Sequence, residues 1–223
     1  MIEAVIFDLD GVIIESEQVW ERVRRRFTEL HGGHWRQDSS RHMMGLSTRE
    51  WAHYLTADLG VQMSDDEVAD QLIEEMKADY DRNLPLVPGA AAAVRELSAM
   101  LPLAVASGSP LSLIDAVLEG ASIRGEFQLL LSCDEVAAGK PAPDVYLEAA
   151  RRLKVSIERC VVVEDSSNGI KSAASAGASI IAIPNRMYPP DESVLGLAAA
   201  VLADIKHLTP QAVSRLDRTS GET

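Results

Sequence analysis

Five short apolar runs divide the chain, and their order restricts the fold more than any other feature of the sequence. From the second run onward, helical patterns such as PDVYLEAARRLKV and SNGIKSAASAG lie between consecutive runs. Strands that alternate with amphipathic helices are typical of a parallel sheet covered by helices. The sequence therefore predicts an α/β fold with strands at IEAVIFD, LPLAVASG, FQLLLS, CVVVED and SIIAIP.

The regular spacing breaks once, between the first run and the second. About ninety residues separate these runs, far more than a crossover helix needs. Two helix starts in this stretch match the capping-box pattern S-x-x-E, Ser47 with Glu50 and Ser64 with Glu67. Apolar residues recur there at helical spacing at Val19 or Trp20, Val23, Phe27 and Leu30, at Trp51, Leu55 and Leu59, and at Val68, Leu72, Met76 and Tyr80. We predict an inserted helical domain at residues 15–84 and one core formed by residues 1–14 and 85–223.

The composition argues against several classes of partner. Acidic residues outnumber basic ones by 34 to 21, and the net charge of -13 repels nucleic acid and anionic membranes. No apolar stretch approaches the roughly 20 residues that span a bilayer, and the N-terminus lacks the pattern of a signal peptide. We expect a soluble cytoplasmic monomer in which Cys133 and Cys160 are reduced. Residues 218–223, RTSGET, are predicted to form a frayed tail.

Two aspartates end the first apolar run, in the sequence VIFDLDG. Along an extended backbone residues i and i+2 point the same way, so Asp8 and Asp10 can face one small volume beyond the strand. Such a pair suits nucleophilic attack by one carboxylate and proton transfer by the other. The alternative is that each aspartate only ends a strand and starts a turn. Polar residues at the other strand ends favour the chemical interpretation.

Two further carboxylates, Glu164 and Asp165, end the run CVVVED. The carboxyl ends of parallel strands share one edge of the sheet, and ligands bind there. Three or four carboxylates in one cleft repel each other unless a cation lies between them. Oxygen ligands without a histidine or cysteine cluster favour a hard ion, so the sequence predicts a Mg2+ site.

Ser107 and Lys140 are the remaining polar candidates. Ser107 is followed by Gly108 and by Ser109, which can cap a helix that begins at Pro110, so hydroxyl and N–H groups would converge on an anion. Such capped turns also occur without a ligand, and this segment alone leaves both interpretations open. Lys140 lies in GKPAPD, where two prolines stiffen the backbone. It is either a solvated surface charge or a fixed counter-charge for a phosphoryl group or a carboxylate.

Four segments in this order, FDLDGV, ASGS, GKPAPDVY and VVVEDSSNGI, resemble the motifs of the haloacid dehalogenase superfamily of aspartate-nucleophile phosphohydrolases. With a helical insertion after the first motif, the chain is similar to the subfamily that contains β-phosphoglucomutase and small sugar-phosphate phosphatases. The resemblance covers nearly the whole chain. It implies a Rossmann-like, doubly wound parallel sheet with an inserted α-helical cap that closes over a small phosphorylated substrate.

The resemblance also implies roles for the motif residues. Asp8 would be the nucleophile that forms an aspartyl-phosphate, and Asp10 would protonate the leaving oxygen and then activate water. Mg2+ would be bound by Asp8, by the backbone carbonyl of Asp10 and by Asp165. Glu164 would be a direct or a more distant ligand. The residues that would contact the phosphoryl group are Ser107, Gly108 and Lys140.

The reaction implied by the resemblance is Mg2+-dependent hydrolysis of a small phosphate monoester, in particular a sugar phosphate. Dehalogenases lack the acid/base aspartate two residues after the nucleophile, so Asp10 favours a phosphatase. The alternatives are a phosphosugar mutase and a phosphate-binding protein without activity. Mutases of the subfamily carry a histidine about ten residues after the acid/base aspartate, where this chain has Trp20, whose indole cannot take up a proton.

Three residues of the predicted cap are candidates for contact with the distal part of the substrate. Arg49, in MMGLSTREW, matches a cap position that makes this contact in the family, and it fits equally well as an exposed residue in the first turn of a helix. Trp20 would form a flat wall for the substrate or pack inside the cap. Lys77 is a further candidate of the same kind.

Overall fold

A computed structural model describes residues 1–219 and contains one sheet of six strands. The strands are β1 Ala4–Phe7, β2 Leu103–Ser107, β3 Leu129–Ser132, β4 Cys160–Glu164, β5 Ser179–Ala182 and β6 Ala200–Val201. Their spatial order is β3-β2-β1-β4-β5-β6, and every neighbouring pair is parallel. The five predicted strands are confirmed. The sixth was not predicted because a strand of two residues carries no periodic signal.

Ten α-helices accompany the sheet within residues 1–219. They are α1 Glu17–Leu30, α2 Ser39–Met43, α3 Thr48–His53, α4 Asp65–Arg82, α5 Ala90–Ser98, α6 Leu111–Gly120, α7 Asp144–Leu153, α8 Ser167–Ala176, α9 Glu192–Leu195 and α10 Pro210–Thr219. Arg218 and Thr219, predicted to begin a frayed tail, are the last residues of α10, and the rest of that tail, from Ser220, lies outside the described residues. None of the helices within the described range is both long and apolar enough to cross a membrane.

Both faces of the sheet are buried, because alternate residues of a strand point to opposite sides. In β1, Val5 and Phe7 join the core on one face, and Ala4 and Ile6 join the core on the other. Helices α5, α6 and α10 contribute to the first core, and α7, α8 and α9 contribute to the second. The predicted α/β fold with a doubly wound parallel sheet is therefore confirmed.

The four helices α1 to α4 form an insertion between β1 and β2, here called the helical insertion, residues 15–84. Ile14 and Leu86 pair in an antiparallel bridge where this segment leaves and rejoins the core. Beside that bridge, the N–H of Glu15 donates to the carbonyl oxygen of Pro85 at 2.8 Å. The two ends of the helical insertion therefore lie next to each other.

Local sequence signals explain the helices of the insertion. Both predicted capping boxes form, at Ser47 with Glu50 and at Ser64 with Glu67. The predicted apolar stripes are buried along α1, α3 and α4. In the π-helical turn after α3, the stripe residue Leu55 is buried as well. The exception is Leu30, which is 72% exposed because it is the last residue of α1 and lies beyond the packed face.

Gly108 allows the helical insertion to approach the carboxyl edge of the sheet. A Cβ atom at this position would lie 2.7 Å from the carbonyl oxygen of Leu46 and 3.1 Å from the carbonyl carbon of Gly45. Both are backbone atoms, so they cannot rotate away as the end of a side chain can. Any side chain at residue 108 would therefore push the insertion away from the strand ends.

We expect Gly108→Ala to lower the free energy of unfolding by about 1–3 kcal/mol, because an overpacked contact forces the backbone to shift. Urea denaturation of the parent and the variant measures the change. Gly125→Ala is the matched control, since within residues 1–219 an added Cβ there would meet no atom within 4 Å. Equal stability of the two variants would contradict the close approach.

Candidate active site

The predicted polar strand ends meet at one edge of the sheet. The chain winds from β1 through β2 to β3 on one side, and β4, β5 and β6 lie on the other. Asp8 directly follows β1, Glu164 ends the neighbouring strand β4, and Asp165 comes next. In open α/β sheets, ligands bind outside the carboxyl ends of the strands at such a change of direction.

Lys140 places one positive charge among these buried carboxylates. Its Nζ donates to Oδ1 of Asp8 and to Oε1 of Glu164, each at 2.7 Å, and to the carbonyl oxygen of Ala106 at 3.1 Å. The Lys140 side chain is 1% exposed, so it is not a solvated surface charge. Burial lowers the pKa of Lys140, but the charges of Asp8 and Glu164 raise this pKa well above its usual value. Lys140 therefore stays protonated.

Glu164 is buried, and both of its carboxylate oxygens are engaged. Oε1 accepts from Lys140 and from the Tyr146 hydroxyl, both at 2.7 Å. Oε2 accepts from the N–H of Asp165 at 2.9 Å and from the N–H and hydroxyl of Ser166 at 3.1 and 3.2 Å. Burial raises the pKa of Glu164, but Lys140 and these hydrogen bonds lower it below its usual value. With its acceptor capacity used, Glu164 holds neighbouring groups in place.

The carboxylates that could hold a cation lie close together. Among residues 1–219, Asp8, Glu164 and Asp165 each offer an oxygen within 4.8 Å of the others. Burial, reinforced by the neighbouring carboxylates, raises the pKa of Asp8 and of Asp165 well above the usual range, although Lys140 opposes the rise at Asp8. Two buried carboxylates with this tendency to bind protons suit a hard divalent cation, which replaces the protons with its own charge.

Asp10 has different surroundings from Asp8, because it accepts from four neutral donors. Its Oδ1 accepts from the Ser16 hydroxyl and from the indole N–H of Trp20, the latter at 3.3 Å. Its Oδ2 accepts from the hydroxyls of Ser107 at 3.2 Å and Ser109 at 2.8 Å. These donors orient the carboxylate outside the cluster of Asp8. A substrate oxygen must displace one of them to exchange a proton with Asp10.

Residues at and just after the end of β2 bind Asp10 and line a cavity above the carboxylates. The Ser107 hydroxyl is buried, and it accepts from the N–H of Ser109 at 3.0 Å while it donates to Asp10. Gly108 and Ser109 line the cavity above the carboxylates. The expectation that Ser109 caps a helix beginning at Pro110 is wrong. Helix α6 begins at Leu111, its N-cap is Pro110 in an extended conformation, and the Ser109 hydroxyl binds Asp10 instead.

The helical insertion lines one side of this cavity, which has a volume of about 40 Å3. Of the predicted cap residues, Trp20 lines this cavity, and the structure does not bring Arg49 or Lys77 to it. Arg49 is exposed because Trp51, two residues later in the same helix, faces inward, and this spacing puts the two side chains on opposite sides. Lys77 follows the buried Met76 in α4, and its Nζ pairs with Glu74 at 2.8 Å.

Sequence reasoning missed two charged residues of α1 that line the cavity, Glu17 and Arg24. The guanidinium carbon of Arg24 lies 4.0 Å from the ring centroid of Trp20 and 5.0 Å from that of Trp51. Burial lowers the pKa of Arg24 to about 10, although Glu17 and Asp10 raise it. Burial and the charge of Asp10 raise the pKa of Glu17 to about 7, although Arg24 lowers it. The available signal was spacing, because Arg24 comes four residues after Trp20 and falls on the inward stripe.

Two supporting residues were also missed. Asn185 donates from Nδ2 to Oδ2 of Asp165 at 2.8 Å. It lies beyond the carboxyl end of β5. The expectation that ligands bind beyond the carboxyl ends of strands selected Asp8, and it would also have selected Asn185. Tyr146 donates to Glu164 from α7, and its position in the sequence carries no signal for this contact.

We expect Lys140→Met to lower the free energy of unfolding by about 3–5 kcal/mol at pH 8, because Asp8 and Glu164 lose the charge between them. Without the lysine, the pKa of Asp8 in the folded protein rises further above its unfolded value, and the pKa of Glu164 loses its main lowering interaction and rises as well. Such groups cost stability as pH rises above the unfolded pKa, so the loss should shrink between pH 8 and pH 5. Urea denaturation of chelator-treated protein at both pH values measures it.

Lys77→Met is the matched control. The Lys77 ammonium forms an ion pair with the exposed Glu74, and such surface pairs contribute about 0–1 kcal/mol. The control should therefore change little at either pH. A Lys140 variant as stable as the parent at pH 8 would mean that the buried charge network is not stabilising.

Comparison with known proteins places the chain in a family. Residues 2–177 match the profile of haloacid dehalogenase-like hydrolases. A phosphorylated carbohydrates phosphatase of Thermotoga maritima is 34% identical over 176 residues, which cover 78% of this chain and 82% of that protein. Hexitol phosphatase B of Escherichia coli is 31% identical over 214 residues, which cover 91% and 90%.

A solved structure agrees with this assignment at the level of the fold. The crystal structure of a β-phosphoglucomutase from Clostridium difficile superimposes with a TM-score of 0.84 over 99% of both chains, at 21% sequence identity. The profile match spans β1 to α8 and includes Asp8, Lys140 and Asp165. On the evidence of its motifs, its fold and its relatives, this chain belongs to the haloacid dehalogenase-like hydrolase family.

Proposed function

We propose that the protein is a Mg2+-dependent phosphatase that hydrolyses a small sugar or polyol phosphate monoester. The observation that carries the proposal is the difference between two aspartates at one strand end. Asp8 contacts the buried ammonium of Lys140, and Asp10 contacts neutral hydroxyl and indole donors. The names of two relatives, a phosphorylated carbohydrates phosphatase and a hexitol phosphatase, support the substrate class.

The proposed reaction has two steps. In the first, a carboxylate oxygen of Asp8 attacks phosphorus, the bond to the ester oxygen breaks, and this oxygen leaves with the electron pair and takes a proton from Asp10. In the second, Asp10 removes a proton from water, and the resulting hydroxide attacks the aspartyl-phosphate. Inorganic phosphate leaves and the Asp8 carboxylate is restored. Lys140 keeps a positive charge beside Asp8 throughout.

Asp8 and Asp165 are the proposed side-chain ligands of Mg2+. Each has one carboxylate oxygen that accepts no hydrogen bond from residues 1–219, whereas both oxygens of Glu164 are engaged. Glu164 is therefore proposed as a positioning residue, and the backbone carbonyl of Asp10 as a further ligand. When bound, the ion neutralises charge on the phosphoryl oxygens and on the nucleophile.

Water is the proposed acceptor of the phosphoryl group. Mutases of the subfamily have a histidine at the position of Trp20, and here the indole N–H donates to Asp10 at 3.3 Å. An indole is a donor only and cannot relay a proton to or from Asp10. A protein that merely binds phosphate has no need of a second aspartate oriented by four donors. Both observations favour hydrolysis.

Residues 15–84 are proposed to act as a cap that opens for substrate and closes during turnover. The adjacent ends at Ile14 and Leu86 and the close approach at Gly108 support this role. A closed cap excludes bulk water, which would otherwise weaken the electrostatic interactions around Asp8. The side chains of the site all come from one chain, so a monomer suffices.

With Mg2+ present, we expect release of inorganic phosphate from sorbitol 6-phosphate and from hexose phosphates. Asp8→Asn is the matched control, since the amide has nearly the same shape and is a poor nucleophile, and it should retain less than about one per cent of the activity. Phosphorus NMR with β-glucose 1-phosphate and a bisphosphate primer separates hydrolysis from isomerisation. Isomerisation faster than phosphate release would replace the phosphatase with a mutase.

Chelation by EDTA should abolish turnover and Mg2+ should restore it, while Ca2+ with its looser coordination should support it poorly. Because burial raises the pKa of Asp8 and Asp165, protons compete with the cation, and Mg2+ affinity should fall as pH decreases from 8 to 6. Isothermal titration of chelator-treated protein measures this affinity. Asp165→Asn should weaken it about 10-fold or more, and the exposed control Asp66→Asn should not. Full activity in EDTA would contradict the metal site.

A further inference from the structure

One cation on the cavity wall, Arg24, has a hydrogen-bond donor that no group within residues 1–219 pairs with. Arg24 is 7% exposed, and its Nε is buried without a hydrogen-bond partner among residues 1–219. The guanidinium contacts the rings of Trp20 and Trp51. A buried charged donor without an acceptor costs free energy, and proteins retain few of them. A group that enters the cavity would supply the missing acceptor.

The position of Arg24 identifies which part of a ligand it meets. Trp20 connects the two regions, because its indole N–H binds Asp10 while its ring contacts the Arg24 guanidinium. Arg24 and Asp8 also line one cavity. In the proposed reaction the phosphoryl group is at Asp8 and the leaving oxygen is at Asp10. The indole ring of Trp20 separates Arg24 from Asp10. Arg24 faces the portion of the substrate that the reaction does not change.

The charges around Arg24 restrict the chemistry of that portion. Glu17 and Asp10 are the carboxylates whose charges act on it, and Glu17 lines the same cavity. A second phosphate would bring two negative charges toward these carboxylates, which disfavours it. A hydroxyl is neutral, and it can accept from the guanidinium and donate to Glu17 at the same time. The faces of Trp20 and Trp51 offer apolar surface to the C–H groups of a polyol.

We infer that Arg24 and Glu17 form a specificity site that binds a hydroxyl of a neutral polyol chain, with the Arg24 guanidinium as donor and Glu17 as acceptor. This inference rests on the proposed function, which puts the phosphoryl group at Asp8. The site selects monophosphate esters of polyols or sugars over bisphosphates. It also selects them over esters such as aryl phosphates, which have no hydroxyl at that distance.

The test compares two esters with the same enzyme preparation. For Arg24→Met we expect kcat/KM for sorbitol 6-phosphate to fall about 10- to 100-fold, the usual worth of a hydrogen bond from a charged donor. The value for p-nitrophenyl phosphate should stay within about threefold, because that ester does not reach Arg24. Arg25→Met is the matched control, since Arg25 is the next residue of α1 and is exposed beside Glu29. It should change neither value.

An equal fall for both esters, or no fall for either, would overturn the inference, and so would a parent enzyme that prefers a hexitol bisphosphate to the monophosphate. Turnover of p-nitrophenyl phosphate shows that the variant is folded. If the methionine variant does not fold, the same comparison of kcat/KM for the two esters is made with Arg24→Lys, which keeps the charge and loses the planar guanidinium.

A binding measurement separates this inference from the proposed function. Trp20 and Trp51 line the cavity, so tryptophan fluorescence reports the Kd for sorbitol 6-phosphate without turnover. If the parent hydrolyses neither ester but the Arg24 variant still raises this Kd about 10-fold, the proposed function fails and the specificity site stands. If the Kd is unchanged by the variant, the specificity site is overturned as well.

Discussion

The buried ammonium of Lys140 is the interaction on which the rest of the site depends. Asp8 follows β1, Glu164 ends β4, and Lys140 comes from the loop before α7, so one group joins three distant parts of the chain. Removing the ammonium leaves two carboxylates without a counter-charge in an interior where water cannot solvate them. The same ammonium supplies one positive charge to three carboxylates, counting Asp165. The remaining negative charge is what makes a bound cation favourable.

Each of the two acidic strand ends contains one carboxylate that is held and one that is available. After β1, Asp10 is held by four donors, while Asp8 has one oxygen that accepts no hydrogen bond among the described residues. At β4, Glu164 is saturated by Lys140, Tyr146 and backbone N–H groups, and Asp165 keeps a free oxygen. Carboxylates of similar chemistry thus acquire different surroundings from their neighbours, which fits the proposed division between an acid/base and a nucleophile.

The sequence predicts the sheet and the residues at its edge well, because both follow from short-range patterns. Alternation of strands with helices indicates the parallel order, and the strand-end rule selects Asp8, Asp10, Glu164 and Asp165. The contacts of Asp10 are less accessible to prediction, since Ser107 reaches it across 97 residues and only the fold brings them together. Arg49 shows a limit of prediction from a resemblance. A match by position in a helix does not say which way the helix is rotated, and here α3 turns Trp51 inward and Arg49 outward.

The helical insertion leaves and rejoins the core at one place, where Ile14 pairs with Leu86. Evolutionary change in the insertion can therefore be separated from change in the sheet. A segment whose ends lie side by side can be lengthened, shortened or exchanged without moving the strands on either side of it. Asp8 would keep its contact with Lys140 through such an exchange, whereas Asp10 would lose the donors Ser16 and Trp20. Arg24 and Trp51 belong to the exchangeable segment, whereas Asp8, Lys140 and Asp165 lie outside it. On the proposed function, a lineage built this way would acquire new substrates by replacing one contiguous stretch of its gene, while selection on the nucleophile would act elsewhere.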